Sequence, residues 1–120
     1  MVNLVVGYGN PLRGDDGAGW RVAELVADHK PSLAVVVRQL HQLLPEVAHW
    51  LSETERVAVL VDTAVSNTLP PGTIQCREVY PTPFQPTAFS HHLSPSVVLG
   101  MAQALYGRAP RTFLLTVVGG

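Results

Sequence analysis

Asp15-Asp16, Asp62 and His91-His92 are the side chains in this 120-residue chain whose types and settings could do chemistry together. The first pair closes the stretch Gly7-Tyr8-Gly9-Asn10-Pro11-Leu12-Arg13-Gly14-Asp15-Asp16-Gly17-Ala18-Gly19. A glycine-rich turn between an apolar run and a helical pattern often holds a nucleotide phosphate, but two tests refuse that reading here. A dinucleotide fingerprint counted from Gly7 needs a third glycine where Leu12 stands. A phosphate loop counted from Gly9 reaches Gly14 with the right spacing, then needs lysine and a hydroxyl where the chain has Asp15 and Asp16. Two carboxylates at that point repel a phosphate and offer oxygen ligands to a cation. Helix capping alone would also favour acids at a helix start. Gly14, Gly17 and Gly19 argue for more, because they admit close backbone approach and weaken the first helical turn.

Asp62 follows the uniformly apolar run Val57–Val61. A carboxylate at the carboxyl end of a buried parallel strand lies where α/β sheets place their sites, although a turn or a helix cap would use the same residue. His91 and His92 sit just ahead of a helix start at Ser94-Pro95, and imidazole is the commonest transition-metal ligand. His41, at the end of the second apolar run, could share that edge, whereas His29 and His49 read as helix-surface residues. If the first and third strands are neighbours, Asp16 and Asp62 converge and one loop histidine closes the triangle. Two carboxylates and one imidazole leave coordination positions open. That pattern meets water, substrate or a metal carried by substrate, and differs from a closed structural site.

The elements that must position these residues follow from periodicity. Val2–Val6 reads as a buried strand that stops at Gly7. Gly17–Ala27 reads as a helix with Ala18, Val22, Leu25 and Val26 on one face, ended by Asp28-His29-Lys30-Pro31. Leu33–Val37 is the second strand, Pro45–Leu51 a short helix, and Val57–Val61 a central strand covered on both faces. After the turn Leu69-Pro70-Pro71-Gly72, the mixed segment Thr73–Tyr80 reads as an exposed edge strand, and 81–86 as a loop. Ser94 caps and Pro95 opens the third helix, with Val98, Met101 and Leu105 as its buried face and Gly107 at its end. Phe113–Val118 is the last strand. The alternation predicts one α/β domain over residues 1–120. Its form is a three-layer sandwich with a mostly parallel five-stranded sheet, one antiparallel edge strand and helices on both faces.

Composition narrows the partners. The apolar fraction of 47% supports a core without staples. The net charge is −1, with one lysine, Lys30, and scattered arginines, which argues against nucleic acid and against a polybasic membrane surface. The apolar runs are too short to span a bilayer, and the N-terminus lacks the pattern of a signal peptide. The expectation is a soluble cytoplasmic protein. Cys76 is the only cysteine, which excludes an internal disulfide and a cysteine-based zinc site. Its place in the edge strand makes it a poor nucleophile candidate and better read as an inert thiol.

The motifs together resemble those of the hydrogenase maturation endopeptidases. The stretch from Gly7 to Gly19 is similar to that family's opening signature, a Gly-x-Gly-Asn turn leading to an acidic pair at a helix start. Leu60-Val61-Asp62-Thr63-Ala64 resembles the second, an apolar strand ending in aspartate, and Ser90-His91-His92-Leu93 the third. Order and spacing agree across nearly the whole chain. The resemblance implies a metal-dependent endopeptidase that removes the C-terminal extension of a nickel–iron hydrogenase large-subunit precursor after nickel insertion. It implies that Asp16, Asp62 and His91 bind the metal and serve catalysis, with nickel carried by the substrate and other divalent cations able to substitute. His91 fits the spacing to the helix better than His92. Some relatives carry glutamate where this chain has Asp16, which keeps an oxygen ligand. Relatives also continue into another helix past the last strand, so an uncovered apolar face is expected here. The rival readings are a non-proteolytic nickel escort or assembly factor that binds the immature large subunit, and a small-molecule hydrolase or nucleotide-binding module.

Overall fold

The computed structural model describes residues 3–9, 18–28, 34–64, 68–83 and 93–118. Their elements are β1 (Asn3–Tyr8), α1 (Ala18–Asp28), β2 (Val35–Leu40), α2 (Glu46–Ser52), β3 (Val57–Ala64), β4 (Ile74–Val79), α3 (Pro95–Tyr106) and β5 (Arg111–Val118). They form one five-stranded sheet in the order β2-β1-β3-β5-β4. β1 pairs in parallel with β2 and β3, β3 in parallel with β5, and β4 antiparallel with β5 at the edge. This is the sheet expected from the sequence, and the strand order reverses direction between β1 and β3.

Register sorts the side chains into two faces, because paired residues in neighbouring strands point the same way and successive residues alternate. Leu4, Ala58, Thr112 and Val79 form one row, and Val6, Leu60, Leu114 and Arg77 the next. Leu4, Val6, Ala58, Leu60, Val79 and Leu114 join Val47, Ala48 and Leu51 of α2 and Val98, Leu99, Met101 and Ala102 of α3 in one buried cluster. α1 packs over β1, β2 and β3 on the opposite face. Right-handed crossovers require this split, since the chain winds one way from β1 to β2 and back the other way to β3.

α2 and α3 end in local hydrogen bonds. The Ser94 hydroxyl accepts from the Val97 N–H (3.3 Å), and Gly107, in the left-handed region at φ 80°, donates its N–H to the Gln103 carbonyl. The Ser52 and Thr54 hydroxyls donate to the His49 and Trp50 carbonyls at 2.6 and 2.8 Å, satisfying the end of α2. Arg108 Nη2 donates to the Thr54 carbonyl at 3.2 Å, so α2 and α3 both finish at the rim where β3 and β5 begin. α3 therefore opens at the carboxyl rim of the parallel strands.

Several details differ from the sequence reading, among them α1 at Ala18–Asp28 and a β5 that begins at Arg111. β1, β2 and β3 run on to Tyr8, Leu40 and Ala64, because ladder pairing with neighbours continues past the apolar runs. α2 is displaced by one residue, to Glu46–Ser52. Leu105 is 52% exposed, since α3 leaves the core after Ala102. On α1 it is Ala23 that is fully buried, while Leu25 is 42% exposed at the outer margin. A small residue at the centre of the stripe lets the helix settle closer to the sheet.

Candidate active site

The strand reversal creates a crevice outside the carboxyl ends of β1 and β3, where open α/β sheets bind their ligands. Asp62 lies there. It is inside β3, half-buried, and paired in register with Tyr8 of β1 on one side and Thr116 of β5 on the other. The row Tyr8, Asp62, Thr116, Gln75 is the next one above the buried rows, on the α2/α3 face. A fixed ladder on both sides therefore sets the backbone of this carboxylate.

Tyr8, which sequence reasoning passed over, is the partner of Asp62. Its ring packs against the hydrophobic cluster and its hydroxyl lies toward the Asp62 carboxylate, where a hydrogen bond between them enters the electrostatics. Burial, then the Asp62 charge and this hydrogen bond, push the Tyr8 hydroxyl well above its ordinary range, with a smaller opposing pull from the Arg77 charge. The signal available in the sequence was the position itself. A strand ending at Gly7 leaves Tyr8 in the turn, whereas a strand reaching Tyr8 puts it on the face of Leu4 and Val6.

The rim continues at Gly9, whose N–H donates to the Leu40 carbonyl at 3.0 Å. Its φ of 140° lies where side-chain-bearing residues are strained, so glycine is required where the chain turns out of β1. His41 is exposed just past β2, on the same rim but two strands from β3, about 10 Å away at the usual strand spacing. Thr63 follows Asp62 on the α1 side, and its buried Oγ1 has no hydrogen-bond partner. Cys76, exposed in β4, pairs with Leu115 and so lies on the face opposite Asp62. A groove of about 410 Å³ between α1 and β2, lined by Glu24, Asp28, Val37 and Gln39, is also on that opposite face. His49 is on the α2 surface as expected, its Nδ1 3.6 Å from Glu53 Oε1.

Asp16, His91 and His92 lie outside the described residues. Among the described residues no group of three His, Cys, Asp or Glu side chains could hold a metal ion. The elements that follow these positions in sequence are described: α1 and α3 both open at the carboxyl rim, α3 on the same face as Asp62. The premise that β1 and β3 are neighbours holds.

No protein-family model and no curated protein matches the sequence. Solved structures do. The chain is similar to the NiFe hydrogenase maturation protease HycI from Thermococcus kodakarensis, with a TM-score of 0.73 at 21% identity, over 99% of this chain and 74% of that one. It is similar to the hydrogenase 2 maturation peptidase from a Thaumarchaeota archaeon, with a TM-score of 0.64 at 22% identity, over 98% and 79% of the two chains. An endopeptidase from Escherichia coli matches with a TM-score of 0.59 at 25% identity, over 98% and 74%. The chain has the fold of the hydrogenase maturation proteases, in agreement with the resemblance carried by its motifs.

Proposed function

We propose that this chain is an endopeptidase that removes the C-terminal extension of a nickel–iron hydrogenase large subunit once nickel has been inserted. The observation that carries the reading is Asp62, half-buried and paired in register with Tyr8 at the β1–β3 reversal, in a chain whose fold matches maturation proteases over nearly its whole length. Asp16 and His91 are its proposed companions, and the nickel they meet belongs to the substrate. Another divalent cation of similar ligand preference could stand in for it. The single free thiol, Cys76, suits a reducing compartment, and we place the protein in the cytoplasm.

The chemistry is peptide hydrolysis. Water adds through its oxygen to the scissile carbonyl carbon, the carbon–nitrogen bond breaks, and the proton released by water ends on the leaving amine. A carboxylate of the site takes that proton first. The substrate's nickel, held by Asp62 with Asp16 and His91, would supply polarisation of the carbonyl. The ladder on both sides of Asp62 keeps its carboxylate in place through these steps, which is the contribution expected of a rigid strand.

The test is incubation with nickel-loaded large-subunit precursor, followed by mass measurement of the subunit. A shortened product with the parent chain and none with Asp62→Asn, His91→Ala or Asp16→Ala is the expected result. An intact subunit held in a stable complex with the parent chain would replace the peptidase by the escort reading.

A further inference from the structure

Most of the described arginines have internal partners. Arg21 pairs with Glu24 and Arg111 with Glu78, Arg108 donates to the Thr54 carbonyl, and Arg38 lies over the Trp50 ring. The guanidinium groups of Arg56 and Arg77 have no such partner among the described residues. Arg56 precedes β3, at the amino rim of the sheet and away from the site. Arg77 is placed differently. It stands in β4 opposite Leu114, which is in register with Leu60, so it shares the α2/α3 face with Asp62. The row of Asp62 continues across β5 and β4 as Thr116 and Gln75, and Gln75 is next to Arg77 on that face. Arg77 is exposed although Val79 and Leu114 beside it are buried, and its charge is felt as far as Tyr8. A solvated cation in an edge strand can serve only to discourage pairing with another chain. Its place here argues for a ligand. A polar row leads to it from the site, and its planar fork of donors matches a carboxylate. β4 lies two strands from β3, about 10 Å, a span that an extended peptide covers in roughly three residues.

We infer that Arg77 binds a carboxylate of the substrate peptide, roughly three residues from the bond that is cut, where that peptide crosses the rim over β5 and β4. This rests on the proposal that the carboxyl rim meets the large-subunit precursor, and it is independent of which groups ligate the metal. The carboxylate belongs either to an aspartate or glutamate side chain or to the C-terminus of the substrate, since the same fork fits both.

Cleavage kinetics on nickel-loaded precursor test it. Arg77 is exposed, so Arg77→Gln and Arg77→Glu should melt near the parent. Arg77→Gln should raise KM by about threefold to tenfold and Arg77→Glu by more, with kcat within about twofold of the parent. The KM of the parent should rise with salt more steeply than that of Arg77→Gln. In the precursor, each acidic residue near the cut is exchanged for its amide, and separately a neutral glycine-serine tail displaces the terminal carboxylate. An amide exchange that raises KM for the parent and not for Arg77→Gln identifies a side-chain carboxylate, and the same behaviour of the tailed precursor identifies the terminus. Parent-like KM and salt dependence in Arg77→Glu, or no precursor change that is silent in Arg77→Gln, overturns the inference and leaves Arg77 as an edge charge. A parent chain that holds the precursor without cutting it removes the peptidase reading alone. The same comparisons, read as dissociation constants, then decide the role of Arg77. A parent chain that neither cuts nor binds the precursor removes both.

Discussion

On the face covered by α2 and α3, Leu4, Val6, Ala58 and Leu60 are fully buried. On the α1 face, Val61 is also fully buried, but its neighbours along the same strands, Val5, Val57 and Val59, are only half-buried. The contrast widens toward the antiparallel edge. There Phe113, Leu115 and Val117 are half-buried and Ile74 is 60% exposed, with α1 resting mainly over β1, β2 and β3. One sheet thus carries a closely packed side and a loosely covered one. Asp62 and Tyr8 grow from the packed side, directly above its buried rows. A ligand that must meet a cation within a few tenths of an ångström benefits from surroundings that cannot shift, and close-packed interiors provide that.

The most severe test of this contrast uses the same truncation on both faces of adjacent strands. Leu60→Ala removes a fully buried side chain and should cost roughly 2–5 kcal/mol. Leu115→Ala, from the half-buried row of β5, should cost less than about half of that, since less apolar area leaves contact. Urea unfolding of both variants measures the difference. Equal losses would mean that the α1 face is as well packed as the other.

The second test addresses how tightly the packed side is assembled. The Thr82 N–H donates to the Ser96 carbonyl at 3.0 Å, drawing the 81–83 segment onto α3. A side chain at Gly100 would run into the Thr82 carbonyl. Alanine normally favours a helix over glycine by about 1 kcal/mol, so steric and intrinsic terms oppose each other. The obstacle is backbone, which cannot swing aside, and the clash should win. Gly100→Ala is expected to destabilise by about 1–3 kcal/mol. A stabilised Gly100→Ala would show that this segment yields easily and that the packed side is softer than its burial indicates.

Much of this arrangement was legible in the chain. The alternation of apolar runs and helical stripes fixed the sheet and its antiparallel edge, and Ser94-Pro95 and Gly107 marked both ends of α3 through residues whose backbone chemistry leaves few alternatives. Asp62 was legible because a carboxylate after five apolar residues points to the carboxyl side of a buried strand, and β3 carries it there, two residues before its end. Tyr8 was not. Glycines on both sides made it look like part of a turn, and only pairing with two neighbouring strands, a non-local effect, carries β1 that far. Leu25 and Leu105 failed for a related reason: a stripe of apolar residues shows which side of a helix is buried, but not where the helix meets or leaves the sheet. The expected roles of Asp16 and His91 fall on positions outside the described residues and stay with the proposal.

The smallest effect is expected on the loose side, where a polar contact stands over an apolar row. Arg111 Nε and Nη2 both donate to Glu78 Oε1, at 3.1 and 3.0 Å, joining β4 to β5. The same guanidinium lies 5.1 Å from the centre of the Phe113 ring. The hydrogen bond to Glu78, and next its charge, raise the Arg111 pKa, so the pair is favourable in sign. Its reach is short, because the Arg111 side chain is 65% exposed and water and salt screen it. Glu78→Gln should therefore lower the unfolding midpoint by less than Gly100→Ala does, and the difference from the parent chain should shrink as salt is added. A large loss that persists at high salt would mean that this contact, rather than apolar burial, holds the β4 edge in place, and the contrast between the two faces would then rest on electrostatics as much as on packing.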